Sequence, residues 1–233
     1  MAKRYPNAKV GVHSRGARHL ANPERLWASA VQVFGEEWLT TNWGPMEPVA
    51  AERLMVLDEG DRVSLGNGRF LDVMYTPGHA KHHVVFQDSD GGGMFVGDAL
   101  GLCYPHGHYV QPVTPPPDFD PDEQIAQMRR MAKRHPAFLA FAHFGPRYDV
   151  DMTLSEAEER LREWVDAVAT FTELSLEAAG ERLREWTANR YRTYGYAPDV
   201  IASYAEKTDW SMQAAGIRRW LSLIHISEPT RPY

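Results

Sequence analysis

The sequence predicts a mixed α/β fold followed by an all-helical C-terminal part. Short apolar segments alternate with turn residues between residues 61 and 97, helix-start signals stand on either side of that region, and apolar residues recur at helical spacing after residue 151. The 233 residues are 43% hydrophobic and 24% charged, a balance typical of folded proteins rather than disordered or fibrous ones. We expect one large domain or two small ones.

The N-terminal segment begins with a short strand and a helix. Residues 8–13 form an apolar run of strand length. Asn22-Pro23 provides an N-cap and a proline for the first helical turn, and helically spaced apolar residues predict a helix over residues 23–35. Residues 36–60 show no periodicity, so we expect an irregular loop that leads into a strand at 54–57.

Two β-hairpins follow. The dipeptide Asn67-Gly68 is typical of a two-residue hairpin turn, and apolar residues alternate on both sides of it. Residues 84–86 and 94–96 are apolar and are separated by Asp, Ser and Gly residues that favour a turn. These patterns predict four antiparallel strands.

A proline-rich segment separates the hairpins from a helix and a last strand. Residues 104–119 contain five prolines, and we expect a rigid, exposed loop suited to substrate contacts. Asp120-Pro121 then starts a helix that we expect to end near His135. Residues 137–142 are predicted to form a buried strand.

The C-terminal part is predicted to be helical. Thr153 and Ser175 are expected to cap two long helices, and two shorter helices are expected near 198–206 and 211–221. The Glu- and Arg-rich run at 156–162 is typical of a solvated helix face.

These elements divide the chain into three parts. We expect an α/β domain over residues 1–150 and a helical extension over residues 151–221. Residues 222–233 lack helical or strand continuity and resemble translated sequencing-adapter read-through, which occurs at the ends of metagenomic open reading frames. We therefore expect a non-native tail with few contacts to the rest of the chain.

Composition and charge exclude several classes of function. No apolar run reaches the roughly 18 residues of a membrane helix, and the first residues are too polar for a signal peptide, so we expect a cytoplasmic protein without a membrane partner. The net charge is -6 and the basic residues are scattered, which argues against nucleic acid as a partner. The single cysteine, Cys103, excludes an intrachain disulfide. A small-molecule substrate is expected, and homo-oligomer formation is left open.

Three candidate metal ligands stand where predicted strands end. They are His79 in Thr76-Pro77-Gly78-His79, Asp98 in Phe95-Val96-Gly97-Asp98, and His143 in Ala142-His143-Phe144-Gly145. Strand ends are rigid supports, and imidazole with carboxylate is a ligand set for zinc or a similar divalent ion. A lone histidine is more often structural, but three such residues at comparable strand ends favour a metal site.

The order and spacing of these motifs resemble the metallo-β-lactamase-fold hydrolases, the superfamily of the glyoxalase II-like and lactonase-like enzymes. The resemblance covers about residues 1–150 and implies a partial αββα sandwich with a helical C-terminal extension. It also implies a centre of two zinc or other divalent ions, in which His79 completes the first site, Asp98 bridges both ions and His143 binds the second. The implied activity is hydrolysis of an ester, thioester, lactone or amide by a metal-activated water.

The chain departs from the family in its first motif. The run His-x-His-x-Asp-His, which supplies four ligands and the catalytic aspartate, does not occur here. His13 and His19 do not have that spacing, and His106-Gly107-His108 has the first half of the motif but is followed by Tyr109 and Val110 instead of the Asp-His pair. We expect the chain to begin just downstream of that motif. An impaired fragment of an enzyme is therefore one hypothesis, and a non-catalytic remnant or helical interaction module is the other.

Five further residues are candidates for contacts behind the ligands or with the substrate. His82 and His83 follow His79 closely, and one of them would hydrogen-bond a ligand or substrate unless they are merely a surface histidine and a strand-start histidine. Tyr104, His106 and His108 lie in the proline-rich segment, where substrate contact competes with loop packing for the tyrosine and with solvent exposure for the histidines.

Overall fold

The computed structural model describes residues 4–42, 44–104, 108–143 and 145–227. Its N-terminal part is a parallel pair of strands, β1 (Val10–His13) and β2 (Leu54–Leu57). Three helices connect them: α1 (Ser14–Ala21), α2 (Glu24–Phe34) and α3 (Glu36–Asn42). Both strands and α2 agree with the sequence prediction.

Helices α1 and α3 correct that prediction, which placed no helix at 14–21 and an irregular loop after residue 36. The N-cap of α1 is His13, whose imidazole Nδ1 accepts a hydrogen bond from the Arg15 N–H at 3.3 Å. Histidine is not among the usual capping residues, so the sequence carries no start signal. Helix α3 has seven residues, too few to show a helical period.

A six-stranded sheet forms the centre of the α/β part. Its spatial order is β10-β9-β6-β5-β4-β3, and all neighbours are antiparallel except β6 and β9, which are parallel. The strands are β3 (Arg62–Gly66), β4 (Arg69–Tyr75), β5 (Val84–Asp88), β6 (Gly93–Gly97), β9 (Phe138–Phe141) and β10 (Gly145–Arg147). Asn67 and Gly68 have φ of 51° and 78°, the left-handed conformations that the predicted hairpin turn requires.

Helix α4 (Pro121–Ala132) lies between β6 and β9 along the chain. The Asp120 carboxylate accepts hydrogen bonds from the Asp122 and Glu123 N–H groups, both at 3.1 Å, which confirms the predicted N-cap. A connection that contains a helix is what a parallel strand pair needs. The carboxyl ends of β6 and β9 therefore lie side by side.

Most of the described residues of the proline-rich segment are buried, which corrects the expected exposed loop, although His108, Pro116 and Pro117 are exposed. Within the segment, β8 (Val110–Gln111) pairs antiparallel with β7 (Leu102–Cys103), which lies just before it, and Tyr109 and Thr114 are fully buried. The C-terminal helices cover it: the Thr114 N–H donates to Gln213 Oε1 at 2.5 Å, and the Thr114 hydroxyl donates to the Gln213 carbonyl oxygen at 2.9 Å.

Up to residue 227, where the described chain ends, the C-terminal part consists of four helices: α5 (Val150–Ala169), α6 (Leu176–Thr193), α7 (Pro198–Ala205) and α8 (Trp210–Ser227). Ser175 caps α6 as predicted, because its hydroxyl accepts from the Ala178 N–H at 3.2 Å. Thr153 does not cap α5, which begins three residues earlier and buries that side chain. Leu161 and Trp164 of α5 pack in one hydrophobic cluster with side chains of the sheet such as Val85 and Met94.

The end of α8 corrects one part of the tail prediction, since residues 222–227 are helical. Leu223 and Ile224 are 47% and 38% exposed, and residues 228–233 lie outside the described residues. The non-native origin of the tail stays a prediction. No helix in the described part of the chain combines the length and apolar character that a membrane crossing needs.

Candidate metal site

His79, Asp98 and His143 converge at one edge of the sheet. His79 Nε2 lies 3.8 Å from Asp98 Oδ2, and His143 Nε2 lies 3.8 Å from Asp98 Oδ1. Asp98 directly follows β6 and His143 follows β9, the two parallel neighbours, whereas His79 lies in the loop between β4 and β5. The prediction that these side chains meet is confirmed.

His79 is oriented by its second ring nitrogen. His79 Nδ1 lies 3.2 Å from the carbonyl oxygen of Val113, which can only accept a hydrogen bond. In the neutral ring, Nδ1 is therefore the protonated nitrogen and Nε2, which faces Asp98, carries the lone pair that a metal ligand requires. The preceding Gly78 has φ of 124°, and a Cβ there would lie 2.4 Å from the Gln124 backbone nitrogen, so only glycine fits where this loop meets α4.

His83 holds the backbone of Asp98. The Asp98 N–H donates to His83 Nε2 at 3.3 Å, and His83 Nδ1 lies 2.8 Å from the Thr76 hydroxyl oxygen. Because Nε2 accepts, Nδ1 carries the proton and donates to that hydroxyl. Burial lowers the pKa of His83 to about 3, so the imidazole is neutral. Gly97 has φ of 54°, and a Cβ there would lie 2.6 Å from His83 Nε2.

The side chains present fit a divalent ion. Asp98 Oδ1 is buried and has no hydrogen-bond partner, and both imidazoles lie beyond hydrogen-bond distance of the carboxylate. Two bonds to zinc sum to about 4.2 Å, so a nitrogen and an oxygen 3.8 Å apart can reach one ion. One imidazole faces each carboxylate oxygen of Asp98. Within the described ranges, no three His, Cys, Asp or Glu side chains lie close enough together to form one ligand group.

The structure places the other candidates as follows. His82 is exposed in the loop before β5, and His83 lies behind Asp98. Tyr104 is 2% exposed and stacks on Tyr204 with ring centroids 3.8 Å apart, which accounts for it as packing between the loop and α7. His108 is exposed, and its Nδ1 lies 2.9 Å from Arg147 Nη2. His106 lies outside the described residues.

Sequence reasoning left the role of His83 undecided between a structural histidine and one that supports a ligand. Its position at the start of a strand gives no local sign of a contact with Asp98, because that contact forms across the β5–β6 pair. The only sequence signal is its neighbourhood: a histidine four residues after a candidate ligand and immediately before a buried strand.

The fold and this site define a mixed α/β sandwich protein with a histidine–aspartate cluster at its strand ends. Residues 1–143, well over half of the chain, match the family model of the metallo-beta-lactamase superfamily. The chain belongs to this superfamily, whose members are generally metal-dependent hydrolases.

A curated relative is the metallo-beta-lactamase fold-containing protein ST1585 of Sulfurisphaera tokodaii. This chain is 30% identical to it over 142 residues, which cover 59% of this chain and 51% of that protein. The chain thus spans about half the length of the relative.

Solved structures show the same fold. A crystal structure of ST1585 from Sulfolobus tokodaii has a TM-score of 0.62 and 23% identity, covering 93% of this chain and 73% of that one. The family protein TTHA1429 from Thermus thermophilus also has a TM-score of 0.62, with 17% identity, covering 94% of this chain and 67% of that one. Because the coverage exceeds nine-tenths of this chain, the shared fold includes the C-terminal helices.

Proposed function

We propose that the site at the strand ends belongs to a metal-dependent hydrolase that cleaves an ester, thioester, lactone or amide bond with a metal-activated water. The observation that carries the proposal is the placement of two imidazoles against the two separate oxygens of Asp98. Membership of a superfamily of metal-dependent hydrolases supports it.

His79, Asp98 and His143 would hold zinc or another divalent metal, with two ions as the expected number. A bound divalent ion supplies a lowered pKa for water and a positive charge that stabilises a carbonyl oxygen as it becomes anionic. The chain contributes orientation: the Val113 carbonyl fixes the ring of His79, and His83 fixes the backbone of Asp98. Such fixed ligands lose little freedom when an ion binds.

The number of ligands predicts weak metal binding by this chain. A catalytic zinc normally has three protein ligands, whereas each carboxylate oxygen here faces one imidazole in the described parts of the chain. We therefore propose that the chain by itself is an impaired form with little turnover.

The alternative is a non-catalytic protein that retains the fold and uses its helical part for interactions. The lack of a three-ligand group among the described residues favours it. The two proposals differ in one respect: only a hydrolase loses metal and turnover together when Asp98 is changed.

The test is zinc binding and turnover of an ester, lactone and thioester panel by the wild-type chain and by Asp98→Asn. Calorimetry with zinc should show binding that is at least about 10-fold weaker in Asp98→Asn, since an amide is a poor ligand. Any turnover of the panel should fall in parallel. His135→Asn is the matched control, because His135 is exposed, has φ of 47° and lies outside the cluster, and asparagine tolerates that conformation.

Equal zinc affinity in wild type and Asp98→Asn would contradict the metal site. Zinc binding that depends on Asp98 without turnover of any substrate, at metal saturation, would favour the non-catalytic alternative.

A further inference from the structure

A groove lies between helix α1 and the loop that carries His79. It has a volume of about 580 Å³, and its lining includes Arg15, Arg18 and His19 from α1, Lys81 and His82 from the loop, and Asp118. We call it the α1 groove. None of these residues takes part in the cluster around Asp98.

Positive charge is concentrated in the α1 groove. It holds three permanent cations and one carboxylate, and that carboxylate is already paired, since Lys81 Nζ lies 3.2 Å from Asp118 Oδ1. Within the described residues no carboxylate lies within 4 Å of the exposed guanidinium groups of Arg15 and Arg18. This excess of positive charge occurs on a chain whose net charge is -6.

Both walls of the α1 groove are fixed by local contacts. His13 Nδ1 accepts from the Arg15 N–H, and His13 Nε2 lies 3.2 Å from Asp58 Oδ1, so the start of α1 is held in place. On the other wall the Lys81 N–H donates to Asp118 Oδ2 at 3.3 Å. The two walls meet at Gly16, where a Cβ would lie 3.5 Å from His82 Cβ.

We propose that the α1 groove binds the carboxylate or phosphate group of an anionic substrate. Two guanidinium forks suit bidentate recognition of such a group, and Lys81 neutralises Asp118, the one groove carboxylate that would repel it. Lys81 and His82 of the groove belong to the same loop as His79, two and three residues after it. That the bound molecule is a substrate rests on the proposed hydrolase function, whereas binding of the anion does not.

The first test is direct binding without metal. The ¹⁵N-labelled chain is titrated with inorganic phosphate and, separately, with succinate at constant ionic strength, and amide shifts are followed by NMR. Saturable shifts at residues 15–19 and 81–82 are expected. The double variant Arg15→Gln/Arg18→Gln should bind at least ten-fold more weakly. The matched control is Arg182→Gln/Arg192→Gln, which removes two exposed arginines of α6 and should leave both affinities unchanged.

Two results would contradict the proposal that the α1 groove binds an anion. One is a wild-type chain that shows no saturable binding of either anion, and the other is equal anion affinity in the double variant and the control. Preference for phosphate over succinate, or the reverse, identifies the anion. Thermal unfolding by circular dichroism checks that the double variant is folded. If it is not, Lys81→Gln serves instead and should weaken binding about three-fold, because the same change leaves Asp118 unpaired and repulsive to an anion.

The second test distinguishes the anion-binding proposal from the proposed hydrolase function. Two esters with the same leaving group, one with a carboxylate on the acyl chain and one neutral, are assayed at saturating zinc. The double variant should raise KM at least ten-fold for the anionic ester and leave the neutral one unchanged. Anion binding without turnover of either ester supports binding of an anion in the α1 groove and favours the non-catalytic alternative over the hydrolase. Turnover without anion binding supports the hydrolase function and contradicts anion binding in the α1 groove.

Discussion

The backbone N–H of Asp98 donates a hydrogen bond to Nε2 of His83 at 3.3 Å, and this bond joins strands β5 and β6 where the candidate ligands meet. The other nitrogen of the ring is bonded to the Thr76 hydroxyl, so one side chain connects the loop before His79 with the residue that both histidines face. His83 is a positioning residue in this arrangement, because both of its ring nitrogens are used in hydrogen bonds and neither is a candidate metal ligand.

Replacing His83 should lower both stability and zinc affinity. His83→Ala leaves the Asp98 N–H and the Thr76 hydroxyl without their partner, and we expect a loss of about 2 kcal/mol in the free energy of unfolding, measured with urea. Zinc affinity should fall about 10-fold, as is typical when a group that orients a ligand is removed. His135→Asn should change neither quantity. A variant as stable as wild type would show that the bond contributes nothing.

Gly97→Ala should be destabilising because His83 occupies the space. Its Cβ would lie 2.6 Å from His83 Nε2, and the left-handed backbone adds about 1 kcal/mol. Gly68→Ala has a comparable φ and no neighbouring atom within 4 Å, so it measures the backbone cost alone. In a His83→Ala background the cost of Gly97→Ala should fall to that of Gly68→Ala. Additive losses in this double-mutant cycle would disprove the steric explanation.

The buried Glu156 predicts a pH dependence. Burial raises its pKa above the ordinary 4.5, although Tyr194 and Arg160 oppose the shift. Below about pH 4.5 the carboxyl is protonated in both states; as the pH rises, the unfolded chain releases the proton more easily, so stability falls. Glu156→Gln should therefore be more stable than wild type by about 1 kcal/mol at pH 7 and show no advantage at pH 4.

Urea unfolding at both pH values measures this difference. Glu173→Gln, an exposed change, should show no gain at either pH. A gain of the same size at pH 4 and pH 7 would mean that ionisation of Glu156 is not its cause.

The contact between α8 and the proline-rich segment leaves no room for a side chain at Gly216. A Cβ at this position would lie 1.8 Å from the Thr114 carbonyl oxygen, a backbone atom that cannot move without shifting the segment. We expect Gly216→Ala to cost about 3 kcal/mol, the upper range for overpacking. Ser222→Ala, an exposed change on the same helix, should stay within about 0.5 kcal/mol of wild type in thermal unfolding. Equal melting temperatures for the two variants would contradict the close approach.

Local patterns predicted those elements whose signals lie within a few residues. The Asn67-Gly68 turn, the Asp120 cap and the strand end before Asp98 are of this kind, whereas His79, expected at a strand end, lies four residues beyond the end of β4. Elements that depend on distant partners were missed. Thr114 of the proline-rich segment, for example, is buried against α8, where Gln213, about a hundred positions later in the sequence, hydrogen-bonds it.

Local patterns also failed to predict the surroundings of some charged and capping residues. Arg160 lies in a run that is typical of a solvated helix face, yet it is only 3% exposed, and its guanidinium faces the ring of Tyr109 in the proline-rich segment. The side-chain cap that His13 gives to α1 has no propensity signal either. In the site, the convergence of His79, Asp98 and His143 was predictable, whereas the bond from Asp98 to His83 forms only across paired strands.

The parallel pairing of β6 with β9 also determines when the site can exist during folding. Asp98 and His143 belong to opposite members of this pair, and the proline-rich segment and α4 separate them along the chain. The hairpins of β3 to β6 involve near neighbours and are expected to form early, whereas β9 must close a long loop before it docks. His79 can approach Asp98 in the first stage, but His143 arrives only with the second. Under the proposed metal site, an ion placed between Asp98 and His143 would be retained only by molecules in which β9 has paired with β6, and the kinetics of metal uptake on refolding would report that step of sheet assembly.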